Sequence, residues 1–156
     1  MRKYTYFASR KGDGWPQPKE IEHYFLAPPG KRWFFERNDS AGFSAYGADG
    51  TEHLPPNKGR IDIDLEMWAN PELGVLLIWS KWGGGLKLNY TSKGDLSRLR
   101  EWVRSYHNTP LPVGLFIPFE MAWKAVKEFI ETDGALPTSI EWIANNDLPP
   151  NTFPDP

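Results

Sequence analysis

The stretch from Arg60 to Trp82, RIDIDLEMWANPELGVLLIWSKW, decides the fold. In its first part Ile61, Ile63, Leu65 and Met67 alternate with Asp62, Asp64 and Glu66, and a period of two sends the two sets to opposite faces of a strand. One face is apolar and the other carries three carboxylates. Asn70-Pro71-Glu72-Leu73-Gly74 is turn chemistry, and Val75 to Trp82 is a nearly continuous apolar run, as expected of a strand covered on both sides. Together they predict a central hairpin. Gly83-Gly84-Gly85 breaks the run before Leu86 to Tyr90, another alternating strand, so the three glycines read as a turn between neighbours.

Upstream, Tyr4 to Ala8 is aromatic and β-prone and ends at Gly12-Asp13-Gly14-Trp15-Pro16, which predicts an opening strand and a turn. Ile21, Tyr24 and Phe25 follow Pro18 at helical spacing, with Glu20 and Glu22 in the first turn, and Pro28-Pro29-Gly30 stops that short helix. Lys31 to Arg37 and Gly42 to Tyr46 read as two strands around Asn38-Asp39-Ser40, and Gly47 to Gly59 as a loop. Downstream, Leu99, Trp102, Val103 and Tyr106 fit a helix, while Trp102, Arg104 and Tyr106 fit a strand with one wet face, so periodicity leaves Ser97 to Tyr106 open. Ile117-Pro118 opens the strongest helical pattern, with Phe119, Ala122, Trp123, Val126, Phe129 and Ile130 as its apolar stripe and Gly134 as its C-cap. Thr138 to Ile143 reads as a last strand. The chain is thus expected to be one α+β domain over residues 1–147, an antiparallel β-sheet meander with one principal C-terminal α-helix and a short N-terminal helix packed on it. Residues 148–156, with four prolines in nine residues, read as an extended, mobile tail.

Composition narrows the function classes. The 156 residues include 23 aromatics (8 Trp, 6 Tyr, 9 Phe) and no Cys, which excludes disulfides, thiolate metal sites and thiol nucleophiles. The formal charge is -2, made of -4 from Arg60 onward (13 acidic, 9 basic) and +2 before it (7 acidic, 9 basic). That balance gives no overall footprint for nucleic acid or an acidic membrane. With no stretch near the roughly 20 apolar residues of a membrane span, and an opening MRKYTYFASRKG without the apolar core of a secretory signal, a cytoplasmic location is expected.

The chemistry of an enzyme is thin in this sequence. His23, His53 and His107 lack the i, i+4 spacing of a metal pair, the triple glycine lacks the Lys-Ser/Thr of a phosphate loop, and no Gly-x-Ser-x-Gly elbow occurs. No catalytic, cofactor-binding or metal residue is assigned. Asp62, Asp64 and Glu66 form the most specific charged set, spaced about 6.5 to 7 Å along one strand face. They read as a solvated face that discourages aggregation, as a contact for a basic partner, or, with less support, as an acid-base pair or open cation site. Trp15, Trp82, Trp102 and Tyr106 sit beside turns or polar neighbours, where aromatic residues either complete a core or anchor a partner.

The C-terminal third carries a further pattern. Ile117-Pro118, a helix with Ala122 and Ala125, then Lys127 to Gly134 (KEFIETDG), then Leu136-Pro137-Thr138-Ser139-Ile140-Glu141-Trp142 resembles the ending of the immunity protein 1 family of bacterial polymorphic toxin systems. In that family an Ile-Pro opens a helix ending in Phe-Leu-x-Thr-Gly and an Arg-Pro-x-x-(Val/Ile)-x-Trp strand follows. Here Asp133 separates Thr132 from Gly134, and Leu136 replaces the Arg. The resemblance implies a strand over Arg100 to Tyr106. It also implies a cytosolic inhibitor that binds a cognate toxin, often one of the nucleic-acid deaminase class.

A toxin that acts on nucleic acid is basic around its active site, so Asp62, Asp64 and Glu66, with Trp102 and Tyr106 from a nearby strand, are the residues expected to occlude it. The rival expectation is a small ligand- or glycan-binding module that uses exposed Trp side chains. Oligomeric state is left open.

Overall fold

A computed structural model describes residues 1–7, 10–26 and 39–155. The predicted strand Lys31 to Arg37 and the helix stop at Pro28 to Gly30 lie outside the described residues. The strands are β1 (Arg2–Phe7), β2 (Arg10–Asp13), β3 (Ser40–Ala48), β4 (Ile61–Asn70), β5 (Gly74–Gly83), β6 (Leu86–Ser92), β7 (Trp102–Arg104), β8 (Pro110–Pro112) and β9 (Trp142–Ala144), and the helices are α1 (Pro18–Leu26) and α2 (Phe119–Glu131). Seven strands form one antiparallel sheet in the order β2-β1-β3-β4-β5-β6-β9. The hairpin read from Arg60 to Trp82 is its centre, with Leu65 opposite Trp79 and Glu66 opposite Ile78.

The two described helices cover one face of the sheet. Ile63, Leu65 and Met67 of β4, Phe43 and Ala45 of β3, and Val75, Leu77 and Trp79 of β5 meet Ile21 and Phe25 of α1 and Trp123, Val126 and Phe129 of α2 in one buried cluster. The α2 stripe is buried at i, i+3, i+4 spacing because that row of side chains faces one way. Pro118, fixed in φ and lacking an N–H, precedes its first turn. At the other end Asp133 (φ 54°) and Gly134 (φ 95°) both turn left-handed, and the Gly134 N–H closes on the Phe129 carbonyl at 2.9 Å. The extra Asp133 is therefore accommodated within the helix stop.

Four features depart from the sequence reading. Gly12 and Asp13, expected in a turn, instead end a short edge strand, β2, in which Arg10 to Asp13 pairs with Phe7 to Tyr4. The last strand begins only at Trp142, since the Glu128 carboxylate of α2 accepts the backbone N–H groups of Thr138 (2.5 Å) and Ser139 (3.1 Å) and holds them away from the sheet ladder. The segment that periodicity left open at Ser97 to Tyr106 has a 3₁₀ turn at Leu96–Arg98 and then, within the Arg100 to Tyr106 strand that the resemblance implies, the shorter strand β7. That strand does not join the main sheet. It pairs with β8, where Pro110 and Pro112 remove the donors a further partner needs. Val103 and Leu111 of this ribbon pack with Leu99, Leu115 and Phe116 onto Leu76 and Trp68, on the sheet face opposite the helices. Leu148 joins that second cluster and Thr152 is buried, so the segment expected to be a mobile tail is docked through Thr152.

Candidate functional site

Even-numbered residues of β4 point away from the helices, as the alternation requires, and the sheet register sets them in rows across the strands. One row runs Arg2, Tyr46, Asp62, Trp82, Lys87; the next Tyr4, Ser44, Asp64, Ser80, Asn89; the next Tyr6, Gly42, Glu66, Ile78, Thr91. Beyond them, from Trp68 and Leu76, the ribbon roofs the face. Thr91 at one edge is covered, its hydroxyl bonded to Asn145, and between Tyr4 and Asn89 the face holds two shallow grooves. One, of about 350 Å³, lies among Tyr4, Tyr6, Ser44, Tyr46 and Glu66. The other, of about 430 Å³, lies among Asp64, Ser80, Trp82, Lys87 and Asn89.

The three carboxylates share this face but not a role. Asp62 is 1 % exposed. It accepts Nε and Nη2 of Arg60, both at 2.9 Å, and the buried Gly47 N–H at 3.1 Å. Gly47 sits where the register of β3 slips by one residue between Tyr46 and Ala48, and with φ 84° its added Cβ would lie 2.3 Å from the Glu52 Cα. Asp62 therefore holds a β-bulge whose amide has left the ladder. The sequence reading did not set Asp62 apart from Asp64 and Glu66, although Arg60 stands two residues away.

Asp64 accepts two neutral donors, the Ser44 hydroxyl at 2.5 Å and the Trp82 indole N–H at 3.1 Å. Glu66 has no hydrogen bond or ion pair among the described residues. Loss of hydration over the concave face, and secondly the neighbouring Asp64 charge, push the Glu66 carboxyl above the usual glutamate range. The centre of the face thus carries two negative charges with no cation paired to them among the described residues. Around it, rings already collect cations: Arg2 and Arg60 lie 5.3 and 5.2 Å from the Tyr46 centroid, and Lys11 lies 5.0 Å from that of Tyr6.

Trp102 and Tyr106 do not stand on a strand beside β4. Trp102, 37 % exposed, is on the outer side of the ribbon, and its indole N–H donates to the Thr152 carbonyl at 3.0 Å. Tyr106, 54 % exposed, has its backbone N–H on the Asp39 carboxylate at 3.0 Å, which places it next to the start of β3, at the Trp68 end of the open face. Burial pushes that Asp39 carboxyl up, against the opposing pull of the Tyr106 amide. The residues that the sequence reading missed are Tyr4, Tyr6, Gly42, Ser44 and Tyr46. Their period of two was visible, but their place beside Asp64 and Glu66 needed the pairing of β1, β3 and β4.

Among the described residues no three His, Asp or Glu side chains gather as a metal site, and no helix is long and apolar enough to cross a membrane. The fold and face define a small α+β domain with one sheet face packed by helices and the other partly open, aromatic and acidic. The chain belongs to the immunity protein family Imm1, whose model matches residues 45–144, from β3 through β9. The match reaches well upstream of the Ile117 to Trp142 segment that carried the resemblance. Comparison with curated proteins and with solved structures found no match.

Proposed function

We propose that this immunity protein neutralises a cognate polymorphic toxin by laying the open sheet face over the toxin's active site, with Asp64 and Glu66 at the centre of the contact and Tyr106 at its margin. The observation that carries the reading is the pair of carboxylates with no cation partner among the described residues, set among exposed aromatic side chains on the sheet. Such a surface suits a basic site, because complementary charge speeds encounter and excludes wrong partners while buried aromatic anchors supply affinity. A toxin acting on nucleic acid, a deaminase or a nuclease, has a basic site of that kind. The protein acts in this reading as an inhibitor in the cytoplasm and not as an enzyme, and it needs no cofactor. Asp62 contributes indirectly by holding the Gly47 bulge, and Trp102 by tying the ribbon to the C-terminal segment.

The test is co-purification with the toxin domain encoded beside it at about 0.15 M ionic strength, where most exposed long-range charge contacts are screened. Growth rescue is scored for the wild type and for Asp64→Lys/Glu66→Lys. Rescue by the wild type and its loss in the charge-reversed chain are expected; rescue undiminished by charge reversal refutes this face. Trp82, 39 % exposed beside Ser80, Asn89 and Lys87, is also the arrangement on which a sugar would stack. A saccharide-dependent shift of Trp emission in a chain that captures no toxin would favour that second reading.

A further inference from the structure

Gly42 is a glycine that the backbone does not require. Its φ is not left-handed, and a Cβ there would meet only the Leu65 carbonyl oxygen at 3.5 Å, an ordinary van der Waals contact. A glycine inside a strand loosens it, and marks a place where something approaches closely. The register puts it between Tyr6 and Glu66, so the missing side chain leaves a notch in the open face, floored by Gly42 and walled by Tyr4, Tyr6 and Trp68. Lys11, paired with Tyr6 from β2, has its ammonium 5.0 Å from the Tyr6 centroid and is not among the described residues that line the notch.

We infer that this notch is a socket for a single arginine side chain of the protein partner. The inference rests on the proposed docking of that face to a toxin and names the chemistry of one contact within it. A guanidinium is planar, so it stacks on a tyrosine ring while presenting a fork of donors to a carboxylate; an ammonium does the second as a point charge only. Glu66 is the one carboxylate at the notch whose oxygens have no donor among the described residues, whereas Asp64 beside it is held by Ser44 and Trp82. Charge complementarity therefore selects a cation, and the flat aromatic walls select guanidinium over ammonium.

The experiment is a two-dimensional amide NMR titration of the full chain with acetyl-Gly-Arg-Gly-amide, and with the Lys and Gln peptides as comparisons. Saturable shifts centred on the Gly42 and Glu66 amides are expected for the Arg peptide. They should weaken about tenfold in Glu66→Gln, where the charge-assisted hydrogen bonds are lost, and also in Gly42→Leu, which fills the notch. The inference is overturned by shifts that are equal for the Gln or Lys peptide, that centre elsewhere, or that persist in Glu66→Gln. Should Gly42→Leu fail to fold, Glu66→Gln alone decides. The titration needs no toxin, so its failure leaves the capture experiment intact; a chain that binds the peptide but captures no toxin refutes the proposed function and not the socket.

Discussion

Replacing Asp62 by Ala separates the structural carboxylate of β4 from the two proposed to face a partner. The substitution removes the acceptor of the Gly47 N–H, a buried amide that the bulge has already taken out of the ladder. An orphaned buried donor costs about 1–3 kcal/mol. Arg60 reaches water along its edge, so its lost pairing is left out of the sum, and about 2 kcal/mol remains from the amide alone. For a domain of this size each kcal/mol moves the midpoint by about 2–4 °C, so Asp62→Ala should melt about 4–8 °C below the wild type. Circular dichroism melts at neutral pH measure this, with Asp64→Asn run in parallel. A midpoint within about 1 °C of the wild type would refute the assignment of Asp62 to the bulge, on the same scale. Toxin capture well below the melting temperature should survive the substitution, because Asp62 is covered in the folded chain.

Glu66→Gln should raise the melting temperature at pH 7 and leave it unchanged near about pH 3, below the ordinary glutamate pKa. The folded carboxyl titrates above its unfolded value, so ionisation costs stability as pH rises through the folded pKa, and the cost is absent below the unfolded one. Asp64 on the same strand is the neighbouring charge that acts in the same direction, and Lys87 from β6 lines the same groove as Glu66; melts at the two pH values check the sign. Phe129→Ala empties a fully buried site against Trp15 (ring centroids 4.9 Å) and Phe43 (6.3 Å). It should cost about 3–5 kcal/mol in a denaturant titration. Trp82→Phe should leave stability within about 0.5 kcal/mol, the usual range for an exposed position. It should also reduce any change in Trp emission on toxin binding, Trp68 at the notch supplying the remainder, whereas an undiminished change would place the contact away from Trp82.

How much of this was legible depended on whether the deciding interaction was local. The β4–β5 hairpin was legible because Ile61 to Met67 alternate without a break and the turn residues stand between two runs. The α2 helix was legible because Pro118 and Gly134 bracket its stripe. The ribbon was not, because Trp102 to Arg104 pairs only with Pro110 to Pro112, a segment whose prolines argue against a strand until a partner with one free edge is known. The late start of β9 depends on a side chain ten residues away in the helix, Glu128, which no pattern within Thr138 to Ile143 reveals. At the candidate site the three carboxylates were visible as a set, while their division was hidden. It is made by Gly47 and Arg60 on one side of Asp62, by Ser44 and Trp82 beside Asp64, and by the lack of any described donor near Glu66.

The segments that carry the family pattern and the face proposed to meet a toxin fall on different sides of the same sheet. Ile117, Phe129 and Trp142 pack into the helix-side core, and Trp79 of β5 ties its indole to the Gly134 carbonyl at 2.9 Å. Asp64 and Glu66 lie one residue from Leu65, which is fully buried in that core, yet their side chains leave the opposite way. Because alternate residues of one strand serve the two sides, the frame and the contact surface are chemically independent at the level of single positions. A change at Ser44, Asp64, Glu66 or Trp82 alters what the face presents without removing an atom from the buried cluster. A change at Phe43 or Leu65 does the reverse. An inhibitor built in this way keeps one fold while its charge and shape complementarity are reset residue by residue, and the core places those residues on a rigid sheet before the partner arrives, which lowers the ordering cost of binding.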